Sequence, residues 1–555
     1  MAWDFRQLRA NTAAWLRSQA VGARNQPPAH LTAQERGCRV KTKERPSAPL
    51  LALADQNALI GAAGITVTTA TTKRNRWQSG AARRPGLRPS SSDHSVQRRS
   101  RQQPVDGASL LSSWSEQLRP PALGPCSCPI CSADRSAAEF VNPGGATPPT
   151  DTAVSAPGAA LSLQGLADYL RVGFWSDFGS VARRYNLGSS GLNPNNGVLH
   201  YNVSGWSGDS NGLTAERQAL AREAFKLYEA VLGIRFIETT STGTEVDFFF
   251  SDNDPGRAYA YPAGVSYSQG VDYTVINIAS DWHGGLSTFG SYTPQTFLHE
   301  IGHGLGLGHQ GIYNYTGTAL TFSTSAQFSN DSWQESMMSY WSQTQNPNTG
   351  ADFAWLQTPM SVDWLALDAI YGPQGFGVSR AFQGDTTYGF NTTISANTSA
   401  IWNQFSQQAH QTAYTLVDGG GYDTLDLSGF SQAQTIDLRP SDPGATAPSR
   451  SNIAGLRGNL TIAAGTIIEA AIGGSGQDTF IGNDAANSLS GNGGNDIFWD
   501  SVGSDLYRGG LGLDTLHFSE SLDLLSYSAV GETLLFSRTD GNPDVDQVWN
   551  DIELF

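Results

Sequence analysis

Residues 299–309 read His-Glu-Ile-Gly-His-Gly-Leu-Gly-Leu-Gly-His. On a helix, His299 and His303 lie four apart, so their imidazoles project from one face and can share a metal ion. Glu300 stands between them in sequence, within reach of a water at that ion. Phe297, Leu298, Ile301 and Leu305 supply the apolar face that fixes the helix in a core. Gly306 lets the backbone turn through positive φ, which brings His309 back as a third ligand. Three neutral imidazoles leave a fourth position open, the donor set of a catalytic rather than a closed structural zinc site. A bare His-Glu-x-x-His is weak evidence, because two histidines at that spacing also line ordinary helices. Glycine at the eighth position and histidine at the eleventh make the pattern specific.

Working outward, Thr293-Pro294 reads as a capping residue followed by proline at the first helical position. Further upstream, Leu163–Phe174 reads as a helix. Thr214 reads as the cap of a second helix running to Leu232, with Ala221, Ala224, Phe225, Tyr228, Val231 and Leu232 on one face. Val198–Val203, Glu245–Phe250, Ala258–Tyr261 and Tyr273–Ile278 read as strands. Downstream lies Ser336-Met337-Met338-Ser339-Tyr340. From about Phe376 the helical signals give way to short β-like runs with Gly, Asp and Asn turns.

That second half contains a repeat. Gly473-Gly-Ser-Gly-Gln-Asp-Thr-Phe-Ile481 opens five nine-residue units that run to His517. The sixth position holds Asp478, Asn487, Asp496, Asp505 and Asp514; the eighth holds Phe480, Leu489, Phe498, Tyr507 and Leu516. Each unit is a turn followed by a short strand, and two units make one coil of a parallel β-roll whose eighth residues form the core. Glycine turns expose carbonyl oxygens beside the aspartates, a hard-oxygen donor set suited to Ca²⁺. The donors read from the repeats are Gly474, Gly476, Asp478, Gly491, Gly493, Asp496, Asp505, Gly510, Gly512 and Asp514. Asn487 and the degenerate unit Asp500–Arg508 predict weaker sites. Without calcium the stacked aspartates repel, and the roll is expected to lose its structure.

The charge is divided. Residues 1–150 hold 20 Lys+Arg against 9 Asp+Glu, whereas the remainder holds 14 against 41. An acidic remainder argues against nucleic-acid binding and suits bound cations. All four cysteines, Cys38, Cys126, Cys128 and Cys131, lie in the basic part, so calcium takes the place of disulfides in the acidic part. The first 30 residues carry Arg6, Arg9, Arg17 and Arg24 and no continuous apolar stretch, so no N-terminal secretory signal is read there. No run approaches the ~18 apolar residues of a membrane span, so no stable membrane insertion is expected. The division is therefore 1–160, a basic and mostly disordered extension or propeptide with a linker; 161–375, an α+β domain that carries the zinc motif; and 376–555, an all-β roll and sandwich with the repeats at 473–517.

Ser336–Tyr340 resembles the methionine turn of the metzincin clan, with Met338 beneath the metal. Together with the repeats, the chain over about 161–517 resembles the serralysins, secreted bacterial zinc metalloproteases with a C-terminal β-roll. The resemblance extends to Asp363–Gly372, to Asp418-Gly-Gly-Gly-Tyr-Asp423 and to Ile468-Glu469. It implies that Tyr340 contacts the zinc or stabilises the oxyanion, that Glu300 is the general base, and that Asp418, Gly420, Asp423 and Glu469 bind calcium at the sandwich–roll junction. It also implies one catalytic Zn²⁺, several structural Ca²⁺, protein or peptide substrates, a monomer, and export by a type I secretion apparatus that reads an uncleaved C-terminal signal. Two features depart from the family: Gln310 stands where serralysins have proline after the third histidine, and about 140 basic residues precede the domain. Three readings apply to the cysteines there: a thiolate in the open zinc position that keeps a zymogen latent, a partial metal site completed by Cys38, or unpaired thiols in a tail. The competing functional class is a calcium-dependent extracellular binding or surface-layer protein built on an inactive protease scaffold. Glu300 and Tyr340 favour the enzyme, because a scaffold needs neither a base nor an oxyanion donor.

Overall fold

A computed structural model describes residues 157–191, 193–263, 270–313, 320–519, 521, 524–540 and 543–555. All of these belong to one compact unit, Ala122–Phe555. The expectations for the basic extension and for Cys38, Cys126, Cys128 and Cys131 lie outside the described residues.

The first helical run is longer than the sequence pattern predicts and is interrupted. Ser162 Oγ caps it by accepting from Gly165 N–H at 3.1 Å. An α-helical turn over Leu163–Asp168 passes into a π-helical turn over Tyr169–Gly173 and returns to α over Phe174–Asp177.

Five strands then form one sheet: β1 (Val198–Asn202), β2 (Arg235–Glu238), β3 (Phe248–Ser251), β4 (Ala258–Ala263) and β5 (Tyr273–Ile278). Their order is β2-β1-β3-β5-β4. Neighbours are parallel except β4, which pairs antiparallel with β5 at the edge. Helix α1 (Ala215–Leu232) makes the crossover from β1 to β2 and buries Leu220, Ala221, Ala224, Phe225, Leu227, Tyr228, Val231 and Leu232. Thr214 occupies its N-cap position, yet its side chain makes no capping bond. Gly233 closes the helix at φ 73°, a left-handed cap that favours glycine.

Helix α2 (Tyr292–Gly304) carries the first two motif histidines. Its N-cap is Ser291, so Thr293 and Pro294 fall inside the first turn rather than at its threshold. The Thr293 hydroxyl bonds back to the Leu286 carbonyl instead. Nearly every α2 side chain is buried, and Tyr228 of α1 donates to the Leu298 carbonyl at 2.8 Å. Helix α3 (Ser361–Tyr371) begins with Asp363 accepting from the Met360 N–H at 2.8 Å.

The C-terminal half is β-rich, with two eight-stranded sheets. Repeat strands alternate between them. Thr479–Ile481, Ile497–Trp499 and Thr515–His517 stack in one sheet; Ser488–Ser490 and Leu506–Arg508 stack in the other, all in parallel register. Phe480, Leu489, Phe498, Tyr507 and Leu516 are buried between the sheets. An antiparallel meander of Leu525–Val530, Thr533–Arg538 and Val545–Trp549 extends the second sheet. The chain end returns to the first sheet, where Leu554 bridges Thr515. One hydrophobic core runs from Leu163 through α2 and the sheets to Ile552. No described helix is long and apolar enough to cross a membrane.

Candidate metal centre

Helix α2 ends at Gly304, and the chain turns back at Gly306 with φ 112°. A side chain at that position would meet the Arg183 carbonyl at 2.4 Å. The turn places His309 beside the two helical histidines. One ligand atom from each of His299, His303 and His309 lies within 4.8 Å of the others. His303 Nε2 and His309 Nε2 are 3.0 Å apart, close to the roughly 3.3 Å edge of a tetrahedron with ~2.0–2.1 Å Zn–N bonds.

The outer ring atoms of the helical pair face carbonyls. His299 Nδ1 lies 2.8 Å from the Met337 carbonyl, and His303 Nδ1 lies 2.7 Å from the Leu307 carbonyl. A carbonyl only accepts, so each Nδ1 carries the proton and each Nε2 lone pair points toward the shared position. Burial, reinforced by neighbouring imidazoles, holds His303 and His309 well below the ordinary histidine pKa. Both are therefore neutral, the form that ligates. This donor set fits zinc.

Met337 and Met338 sit beneath the helix. A methyl on Gly302 would lie 3.0 Å from Met337 Cε and 3.4 Å from Met338 Sδ. Two buried carboxylates hold this turn, one at its start and one at its end. Asp363 accepts from Ser336 Oγ at 2.6 Å and from Met337 N–H at 2.8 Å. Asp331 accepts from Ser339 Oγ at 2.6 Å and from the Tyr313 hydroxyl at 2.5 Å. Burial pushes each of these carboxyls up to about 7. Glu300 is buried and Tyr340 half-buried. The Tyr340 ring stands edge-on to His309 at 4.8 Å and is stacked on Tyr313 at 4.3 Å. Gln310 is fully buried, and neither of its amide atoms has a hydrogen-bond partner among the described residues.

The roll places its aspartates in two ladders. On one side Asp478 N–H donates to Asp496 Oδ1 and Asp496 N–H to Asp514 Oδ1, each at 2.8 Å. Asp514 N–H then donates to Glu553 Oε2 at 2.8 Å. On the other side Asn487 N–H donates to Asp505 Oδ1 at 2.8 Å, and Asp505 N–H to Asp546 Oδ1 at 3.0 Å. Asp423 N–H donates to Glu469 Oε2 at 2.7 Å, and Asp418 Oδ1 accepts from Gly420 N–H at 2.8 Å. Among the described residues, the second oxygens of Asp423, Asp496 and Asp514 are buried without a hydrogen-bond partner. Methyls on Gly491 and Gly509 would fall 2.1 Å and 2.3 Å from the Asp496 and Asp514 carboxylates. Anionic oxygens beside glycine backbone make a donor set that fits a hard cation.

Gly474 N–H donates to Asp478 Oδ2 at 2.7 Å. Gly476 packs on the Gln432 backbone, while Gly510 and Gly512 pack against Asn492 and Gly494 of the preceding coil. Gly493 bridges Leu511. Sequence reasoning did not single out Asp331 or Tyr313, nor Asp546 and Glu553, which continue the ladders beyond the last repeat. None of these sits in a repeat or a spaced motif; only chain topology brings them in.

Gly306→Ala should destabilise the protein by roughly 2 kcal/mol or more, because it adds both positive-φ strain and a backbone clash. Thermal unfolding measures this, and an unchanged midpoint would contradict the tight turn.

Residues 379–536 match the family model described as Peptidase M10 serralysin C terminal. The chain is 36% identical over 290 residues to "Metallopeptidase AprA" of Pseudomonas marginalis, covering 51% of this chain and 57% of that protein. It is 37% identical over 285 residues to "Serralysin" of Photorhabdus luminescens, covering 49% and 54%. It is 36% identical over 227 residues to "Serralysin C" of Dickeya chrysanthemi, covering 40% and 43%. The chain thus spans about half the length of the relatives it matches. Over residues 379–536 the chain is similar to the C-terminal part of the serralysins, and over about half its length it is similar to proteins named serralysin and metallopeptidase.

Proposed function

We propose that the chain is a secreted zinc-dependent endopeptidase that hydrolyses peptide bonds of extracellular proteins. The observation that carries this is the convergence of His299, His303 and His309 next to Glu300 and Tyr340. We read 161–375 as the catalytic domain, 376–555 as the calcium-binding roll and sandwich, and 1–160 as an extension or propeptide.

Zinc, when bound by the three imidazoles, supplies Lewis-acid polarisation of the scissile carbonyl and acidifies water. Glu300 takes the proton of the attacking water and delivers it to the leaving nitrogen. The Tyr340 phenol donates to the developing oxyanion. The carbonyls of Met337 and Leu307 keep the helical imidazoles in the ligating tautomer. The names of the serralysin and metallopeptidase relatives support the same chemistry. The roll aspartates, with Asp418, Asp423 and Glu469, are assigned to calcium.

Purified protein carrying zinc and calcium should digest casein, and removing zinc with a chelator should stop digestion until zinc is restored. Failure to cut any unstructured protein with zinc bound would sink the enzyme and favour a calcium-dependent binding protein on a protease scaffold.

A further inference from the structure

The loop that carries His309 is not closed by the motif alone. From Leu305 N–H to Gly308 N–H, each backbone polar group in turn has a partner. Four bonds are internal to 301–308: Leu305 N–H to Ile301 O, Gly306 N–H to His303 O, Leu307 N–H to Gly302 O, and the Leu307 carbonyl to His303 Nδ1. The other three come from outside. Tyr371 donates to the Leu305 carbonyl at 2.9 Å. The indole of Trp175 donates to the Gly306 carbonyl at 2.9 Å. Gly308 N–H donates to the Leu170 carbonyl at 2.7 Å.

Two of these external partners lie on the first helical run, and the π-helical turn explains how. The Phe174 N–H reaches back five residues to the Tyr169 carbonyl, and the Leu170 carbonyl turns to the metal loop. The same turn lays Phe174 on Gly308, where a methyl would meet its ring at 2.3 Å. The Phe174 ring stands edge-on to His309 at 5.5 Å. Trp175 is fully buried, and the Arg183 guanidinium lies over its ring at 4.2 Å, which fixes the indole. π-turns cost hydrogen-bond geometry and recur at functional sites; here the turn creates an acceptor and a packing face aimed at one ligand.

We propose that Trp175, the Leu170 carbonyl and Phe174 are positioning elements for the third metal ligand, so that the first helix sets metal affinity through His309. The inference rests on the metal centre proposed above. A helix that only filled space would affect stability and leave the metal untouched.

The test measures zinc affinity by competition with a chromophoric chelator. It uses full-length wild type, Trp175→Phe, His309→Ala and the double variant, all with calcium present. Trp175→Phe should weaken zinc binding about 10-fold, the lower end of the range for groups bonded directly to a ligand, because Trp175 acts through the Gly306 carbonyl. In the His309→Ala background it should change affinity by less than about twofold, because its effect passes through the missing ligand. With cobalt in place of zinc, Trp175→Phe should shift the visible absorption that reports the ligand field. A folded Trp175→Phe variant with wild-type affinity overturns the proposal, as does equal weakening with and without His309. If Trp175→Phe does not fold, Phe174→Leu keeps apolar volume but removes the edge contact on His309. A cobalt spectrum and zinc affinity unchanged in that variant overturn the proposal, and a shifted spectrum with weaker zinc supports it. Wild type that binds no zinc would instead overturn the metal centre itself.

Discussion

Glu300→Gln should lower casein hydrolysis by about 10²–10⁴-fold while zinc remains bound, the range that a positioned general base contributes. Glu300 is buried on α2, one residue after His299. It is not among the three converging histidines, so its amide should leave the metal in place. The loss should appear in kcat more than in KM, because proton transfer belongs to the transition state. The measurements are metal content, kcat and KM on one preparation. Full activity with zinc retained would remove Glu300 from the mechanism and require a different base. Loss of zinc together with activity would show that Glu300 serves the metal rather than the water.

The second large effect concerns calcium and protons. Burial pushes the Asp423 and Asp496 carboxyls up to about 7 and Asp546 up to about 8. An unfolded aspartate titrates near ~3.9. A carboxyl whose folded pKa is raised stabilises the fold fully below the unfolded value, and that stability is lost as pH rises through the folded value. Calcium-free protein should therefore have its least stable roll above about pH 8 and regain β structure as pH falls toward 5. With calcium the dependence reverses, because calcium needs the ionised carboxylates and competes with protons. Calcium's stabilisation should thus be greatest near pH 8 and shrink on acidification. Circular dichroism with and without chelator across this range reads both arms. A chelated roll that is equally stable at pH 5 and pH 8 would contradict the burial argument.

Much of this architecture was legible because it rests on periodicity. The nine-residue spacing of Phe480, Leu489, Phe498, Tyr507 and Leu516 needs only counting, and each of them is buried. The helical spacing of His299 and His303 and the glycine at 306 likewise describe a local backbone path. The strands Val198–Asn202 and Tyr273–Ile278 follow their alternating or β-branched runs. Start signals were less faithful. Thr293-Pro294 reads as a helix start, but Ser291 occupies the N-cap, and the Thr293 hydroxyl is drawn to Leu286, a tertiary partner. The π-turn at 169–173 left no composition signal, because it answers to Gly308 more than a hundred residues away. Asp331 and Asp363 are single carboxylates whose meaning depends on which loop folds over them. The residues hardest to foresee are those that support ligands rather than act as ligands.

The roll pairs each repeat strand with the one 18 residues on, as in Asp478 and Asp496. A nine-residue unit therefore advances the chain by half a coil and moves it to the opposite sheet. Inserting one unit would exchange the two faces for every strand that follows, and would present the C-terminal meander to the wrong sheet. Inserting two units would only lengthen the stack by one rung. Tolerated changes in length should consequently come in steps of 18, so the architecture sets a quantum of growth twice that of the repeat itself.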